Sequence, residues 1–311
     1  MQSDQFMPFF IIGSPRSGTT LLERMLNRNS KIFVPPETAF FFRLYAKGYS
    51  DKVFSLKVAE KFLDHYLESR PAQLLGLSVS EHKQRLLQSA DSFSGIFRNL
   101  MSVLSEGHNS KLVGEKTPHH LKCIDYILSS YPKAPVIAMV RDGRAVISSR
   151  VRHPNWSNSL LTAAWRWRED AIALQRLINS DKSEQILVVR YENLVSDPNA
   201  EIEAICKHLG VEFEPAMTAV NHNENAAFQK YYEQDWMSKS TRDIDQSRIN
   251  AWREDFTKRE ISFIENEIAS ELSGLGYDLL GHSSDSLGAL KAKEIVKHVS
   301  WKFRQKMNSL R

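Results

Sequence analysis

The amino-acid sequence predicts an α/β fold of the phosphate-binding-loop type: three layers, a central parallel sheet flanked by helices, and a helical insertion. Three observations carry this. Short β-branched or apolar runs recur between helical stretches. The clearest two, VIAMV at 136–140 and ILVV at 186–189, are apolar throughout, which suits strands covered on both faces. Finally, FFIIGSPRSGTTLL at 9–22 joins an apolar run to a Gly-rich turn and a helix start. In that wiring backbone N–H groups and a helix N-terminus converge on an anion.

In chain order, strands are expected at Pro8–Ile12, Lys31–Val34, Leu112–Gly114, Pro135–Val140 and Ile186–Arg190. Residues 51–110 carry long amphipathic helical patterns and no strand signal, and they read as the insertion. Of the two tryptophans in AAWRWRED, Trp165 and Trp167, two apart and so unable to share a helix face, Trp165 is assigned to the core. Ser196-Asp197-Pro198 opens a helix over Asn199–Leu209, which Gly210 ends. Thr257 and Glu260 form a capping box for a helix running toward Leu272. Gly281–Gly288 is a Ser-rich polar linker before a basic amphipathic helix. The expected organisation is one domain over 1–280 and a linker plus C-terminal helix over 281–311.

Composition narrows the function classes. At 311 residues, 42% hydrophobic and 25% charged, the chain is an ordinary globular protein. No apolar run approaches a membrane span, and the N-terminus lacks the pattern of a cleaved leader, the first strand following almost at once. Cys123 and Cys206 make no disulfide framework. A cytoplasmic location is expected. The net charge of +4 is uneven: residues 291–311 hold seven Lys/Arg against Glu294 alone, a local +6, so the other 290 residues sum to −2. That excludes the bulk basic character of a nucleic-acid binder. Any anion site in the main domain depends on local placement.

The loop itself says which anion. The nucleoside-triphosphatase pattern needs Lys directly after its second Gly, to reach the β- and γ-phosphates. Here Gly13 and Gly18 keep the spacing, but Thr19 and Thr20 follow and Arg16 is the one cation inside. A 5′-phosphate with a short anionic extension, such as a phosphosulfate, fits better. Arg16, Ser17, Gly18, Thr19 and Thr20 offer backbone donors, hydroxyls and a guanidinium suited to bidentate contact. A helix N-terminus contributes only about 0.3–1 kcal/mol to holding an anion, so a second site is required. Arg141, at the end of VIAMV, and Ser149, eight residues later, supply one. A ligand with phosphates at both ends of one nucleoside suits the pair.

These motifs resemble the sulfotransferases that use 3′-phosphoadenosine 5′-phosphosulfate (PAPS), and the tyrosylprotein and bacterial branch in particular. Gly114-Glu115-Lys116-Thr117-Pro118, Arg190-Tyr191-Glu192-Asn193-Leu194 and SKSTRDIDQ at 238–246 extend the likeness over roughly residues 9–265 in the family's order. The resemblance implies that the loop holds the 5′-phosphosulfate and that Arg141 and Ser149 hold the 3′-phosphate. It implies further that Tyr191 and Thr241 contact the donor and that Lys116, with Ser240 or Thr241, stabilises charge on the bridging oxygen. Glu37, 21 residues after Arg16, matches the general base of the tyrosylprotein enzymes, and a hydroxyl acceptor must lose its proton as it attacks sulfur. The resemblance requires no metal.

Two departures bear on the acceptor. The cytosolic enzymes place a His base after the Lys-Thr pair, where this chain has Pro118 and then His119, the second candidate for the base. The tyrosylprotein enzymes carry a basic residue two places after the Glu, where this chain has Ala39 followed by Phe40, Phe41 and Phe42. A glycan, lipid or small-molecule hydroxyl therefore fits better than an acidic peptide, with the 51–110 insertion lining the acceptor side. A kinase-like nucleoside-triphosphate enzyme and a non-catalytic nucleotide- or membrane-binding module are the competing readings. In the tail, Ile295, Val299, Phe303 and Met307 recur every four residues. That pattern fits docking on the protein's own surface or on a second copy in a homo-oligomer, and also weak contact of residues 291–311 with an anionic membrane.

Overall fold

Five strands form one sheet in the order β2-β3-β1-β4-β5, and every pairing is parallel. The structure, a computed structural model, describes residues 7–153, 156–219, 244–281 and 287–309, with side chains as far as residue 303. The strands are β1 (Phe9–Gly13), β2 (Ile32–Phe33), β3 (Leu112–Lys116), β4 (Val136–Val140) and β5 (Ile186–Arg190). They fall where the sequence puts them, β5 with the expected bounds and the others with ends moved by at most two residues. Central β1 and its neighbour β4 are buried at every position. ILVV departs from the expected double coverage: β5 is the sheet's edge, and Val188 is exposed.

The register matters for function. Ile11 pairs with Lys116, Gly13 with Met139, and Val140 with Arg190. Four parallel strands thus release their chains along one edge, the side on which open α/β sheets bind ligands.

Helix α1 (Thr19–Leu26) follows β1, and α2 (Phe40–Ala46) follows β2. The insertion is helical as expected: α3 (Leu56–Leu67), α4 (Arg70–Leu74), α5 (Val79–Leu87) and α6 (Phe93–Leu104). Ser55 and Ser92 cap α3 and α6 by accepting from Val58 N and Gly95 N. The insertion adheres through aromatic packing. Phe40 and Phe41 from α2 meet Phe62, Tyr66 and Phe97 edge-on or tilted, with ring centroids 4.5–5.7 Å apart. Burying each such ring contributes about 1.5–3 kcal/mol. The residues just before α2 are therefore held at a fixed distance from the sheet.

After β3 come a 3₁₀ turn over Pro118–Cys123 and α7 (Ile124–Ser130); after β4 come α8 (Gly143–Val151) and α9 (Leu160–Ile178). Trp167, not Trp165, enters the core. The buried face of α9 runs through Leu160, Ala163, Ala164, Trp167, Ala171 and Leu174 at helical spacing, which turns Trp165 outward, where it donates to Glu267 at 3.1 Å. Helix α10 (Tyr191–Ser196) follows β5 directly, and α11 (Pro198–Leu209) is capped by Asp197 and ended by left-handed Gly210. Then come α12 (Trp252–Asp255), α13 (Lys258–Gly274), which starts on the expected Thr257–Glu260 capping box, and α14 (Leu287–Ser309). The tail helix begins inside the expected linker and lies against α9 and α13. Among the described residues no helix is long and apolar enough to cross a membrane.

Candidate active site

The chemistry-bearing side chains hang from the C-terminal edge of the sheet. Leaving β1, the chain turns through Ser14-Pro15-Arg16-Ser17-Gly18 into α1, with φ of 81° at Arg16 and 94° at Gly18. A non-glycine residue in that region costs about 1–3 kcal/mol, and the loop is tied down from below. Ser14 Oγ donates to Asp170 Oδ2 at 2.7 Å, while Arg150 Nη2 donates to Ser14 Oγ at 2.6 Å and to the Pro15 carbonyl at 3.2 Å. The same Arg150 nitrogen pairs with Asp170 at 2.9 Å. Gly18 admits no side chain, since a Cβ there would lie 2.4 Å from Tyr191 Cδ2. No side chain caps α1, so its first N–H groups remain available to an anion.

Arg141 leaves β4 on the other side of this loop. Its Nη1 donates to the Arg16 carbonyl at 3.0 Å, its Nη2 donates to the Arg248 carbonyl at 3.1 Å, and its guanidinium lies 3.9 Å over the Tyr191 ring. Arg16 Nε donates to Ser149 Oγ on α8 at 2.9 Å. The two expected anion sites are thus not separated: Arg16, Arg141, Ser149 and Tyr191 form one continuous patch. Burial, then the charge of Arg141, push the Arg16 pKa below its ordinary value, with Glu37 opposing. Among the described residues neither Arg16 nor Arg141 has an ion-pair partner. Among the described residues, Ser17 Oγ and Arg141 Nε are buried without hydrogen-bond partners. Crowded positive charge with unmet donors is the environment a polyanion stabilises, so these residues fit a doubly phosphorylated nucleoside.

Lys116 ends β3 facing α1. Its Nζ, wholly buried, lies 3.0 Å from Glu23 Oε2 and 3.1 Å from Glu37 Oε1, and donates to Thr20 Oγ1 at 3.4 Å. Glu23 is buried and Glu37 is 34% exposed. An ammonium between two carboxylates therefore joins the anion loop to the one carboxylate of the trio that reaches solvent. His119 sits beside this group, its ring tilted on Phe42 with centroids 5.0 Å apart. Burial lowers its pKa while Glu37 and Asp170 act the other way, which keeps the imidazole neutral near pH 7. Of the residues expected at the site, Arg16, Ser17, Gly18, Thr19, Thr20, Glu37, Lys116, Arg141, Ser149 and Tyr191 gather on this edge. Ser240 and Thr241 lie outside the described residues.

Two features are missing from the sequence reading. One is Glu23, the buried partner of Lys116, whose signal is a lone carboxylate on the apolar face of TTLLERML. The other is the buried carboxylate Glu115. Strand alternation points it away from Lys116, toward the segment that carries Glu37. Glu115 Oε1 accepts from Thr38 Oγ1 at 2.8 Å, from Thr38 N at 3.3 Å and from Thr117 Oγ1 at 2.7 Å. Thr117 Oγ1 in turn accepts from Ala39 N at 3.0 Å, and Tyr66 Oη donates to the Thr38 carbonyl at 3.1 Å. His120 Nδ1 stands 2.6 Å from Glu115 Oε2. Burial alone would raise the Glu115 pKa, but the adjacent His120 and the hydrogen bonds from Thr117 and Thr38 bring it below its ordinary value. This clasp holds Ala39 at φ 52°, a second strained residue beside the site. On the far side, Glu192 Oε1 accepts from Asp142 N at 3.0 Å, which sets the turn after Arg141.

Comparison with known proteins adds the chemistry. The profile described as "Sulfotransferase family" matches residues 8–215. Nodulation protein NoeE of Sinorhizobium fredii is 26% identical over 303 residues, covering 89% of this chain and 68% of NoeE. The protein-tyrosine sulfotransferase of Drosophila melanogaster is 25% identical, covering 70% of this chain, which spans only 40% of that protein's length. Among solved structures, the sulfotransferase domain of the Synechococcus PCC 7002 olefin synthase superposes with a TM-score of 0.64 at 22% identity, covering 90% of this chain and 98% of that domain. The sulfotransferase domain from the curacin biosynthetic pathway gives 0.62 at 21% identity, covering 88% and 99%. The α/β fold read from the sequence is the fold of these domains.

Proposed function

This chain belongs to the sulfotransferase family, whose members take the sulfuryl group from PAPS, and we propose that it transfers that group to a hydroxyl of a glycan, lipid or small-molecule acceptor, with Glu37 as general base. The observation that carries this reading is the position of Lys116 Nζ, 3.1 Å from Glu37 and 3.4 Å from Thr20 of the anion loop. A base and a cation for the leaving group are thereby side by side at the mouth of an anion site.

When bound, the donor supplies a sulfuryl group carried on a phosphate leaving group. The protein's task is then in-line positioning and charge stabilisation. Glu37 takes the proton of the acceptor hydroxyl as its oxygen bonds to sulfur. Arg16, Lys116 and the N–H groups of Ser17–Thr20 hold the charge that builds as the sulfur–oxygen bond to the phosphate breaks. Arg141 and Ser149 hold the 3′-phosphate, Tyr191 braces Arg141 against the loop, and Ser240 or Thr241 assists Lys116 at the bridging oxygen. Glu23 makes the lysine's role feasible: Lys116 can turn from Glu37 toward the leaving oxygen while a buried carboxylate still balances it. The acceptor reading rests on Ala39, where the tyrosylprotein enzymes carry a basic residue, and on the Phe42–His119 pair beside Glu37.

The test pairs turnover with binding. Labelled PAPS should yield sulfated product with a glycan, lipid or phenol in preference to an acidic peptide. Glu37→Gln should bind adenosine 3′,5′-bisphosphate as the wild type does yet lose about 10²–10⁴ in turnover, whereas His119→Gln should stay within about tenfold of wild type. Unchanged turnover in Glu37→Gln would disqualify that residue as the base. Tight binding of ATP without binding of the bisphosphate would favour the kinase-like alternative.

A further inference from the structure

The tail helix α14 docks on the body with a mixed face, on which Leu287 and Leu290 pack against the core beside a row of polar contacts. Glu294 is buried and accepts from Leu160 N, at the start of α9, at 2.6 Å. His298 Nδ1 meets Thr162 Oγ1 at 2.8 Å, Arg166 lies 4.4 Å over the Trp301 ring, and Lys291 pairs with Glu267 at 2.7 Å. A free amphipathic helix settling on a protein ordinarily buries its apolar stripe. Here that stripe faces outward: Ile295, Val296, Val299 and Phe303 are 45%, 65%, 59% and 65% exposed.

What surrounds the stripe identifies its occupant. At about 100° per residue, Lys291 and Lys302 border it on one side and Lys293 on the other, and all three are exposed. Between residues 287 and 303 the only carboxylate is Glu294, which is buried and engaged with α9. The outward face is therefore apolar along its middle with an exposed lysine on each rim, Lys302 and Lys293, while Lys291 beside Lys302 is paired with Glu267. We propose that α14 is a membrane-surface helix that lays the Ile295–Phe303 stripe into the head-group boundary of an anionic lipid bilayer. Lysine stems suit the rims, because they lie along apolar surface while the ammonium stays at the phosphates. A second copy of the chain fits worse, since two such faces would bring like-charged rims together. The contacts through Glu294, His298 and Trp301 keep the stripe outward before any lipid is met. This inference does not depend on the sulfotransferase reading.

Vesicle flotation of the full chain tests it. At low salt the protein should float with phosphatidylcholine vesicles containing phosphatidylserine and stay behind with phosphatidylcholine alone, and raised salt should weaken the binding. Val299→Asp with Phe303→Asp, on a face exposed among the described residues, should melt like wild type and lose at least about tenfold in bound fraction. Lys293→Glu with Lys302→Glu should abolish the preference for the anionic vesicles while leaving the apolar stripe intact. The proposal fails if the wild type does not float with anionic vesicles, or if the aspartate pair floats as well as wild type. It fails equally if sedimentation finds a dimer that the aspartate pair dissolves and no vesicle binding, for then the stripe is an interface between copies.

Discussion

A wholly buried lysine between two carboxylates is costly unless each charge serves another. Lys116 meets that condition through Glu23 and Glu37, and the unequal exposure of the two carboxylates separates their tasks. In the proposed mechanism Glu37, which reaches solvent, meets the acceptor, and buried Glu23 holds the ammonium near the loop. On the proposed mechanism, Glu23→Gln is expected to remove one of the two close carboxylates of Lys116, so that the proposed base and the proposed leaving-group cation pair more tightly with one another. Turnover should fall more than tenfold while the affinity for adenosine 3′,5′-bisphosphate changes little, a loss of about 1.4 kcal/mol or more in the transition state alone. Steady-state kinetics beside calorimetric binding would separate that result from a folding defect, which would depress both.

The segment between β2 and α2 is held by two kinds of force. Aromatic packing fixes α2 against the insertion, and the Glu115 clasp fixes Thr38 and Ala39, the two residues that follow Glu37. The clasp carries a pH signature. Its carboxyl titrates below the ordinary range in the folded protein. The stability it contributes is therefore complete above about pH 4.3, the unfolded-chain value, and is lost as the pH falls through the lower folded-state value. Glu115→Gln weakens the acceptor shared by Thr38 and Thr117 and should destabilise the protein at neutral pH by about 1–3 kcal/mol. Its melting temperature should then fall less steeply than wild type on acidification. A variant that melts like wild type at pH 7 would show that the clasp adds nothing to the fold.

Across the whole molecule the site draws on chain segments far apart in sequence: the loop after β1, the ends of β3, β4 and β5, and α8. A ligand that touches all of them stabilises the folded state as a unit. Adenosine 3′,5′-bisphosphate at a hundred times its dissociation constant should add about 2.7 kcal/mol, seen as a raised melting temperature, and ATP at equal concentration should add much less. Equal shifts for both would remove the argument from the absent loop lysine.

The strands and the anion loop were legible because each is local. VIAMV and FFIIG declare buried strands by composition, and the Gly13–Gly18 spacing with Arg16 declares an anion loop that lacks the triphosphatase lysine. Glu37 and Lys116 were legible only through the order of motifs that the family shares; their own neighbourhoods say nothing of a 3.1 Å contact between residues 79 apart in sequence. Tertiary structure alone decided the rest. It merged the two arginine sites into one patch, because parallel register sets the ends of β1 and β4 side by side. It supplied Glu23 and Glu115, because a buried carboxylate is set apart from a solvated one only by what packs on it. It also turned Trp165 and the tail's apolar stripe outward: periodicity shows that a helix has two faces, and only the partners available in space determine which one is covered.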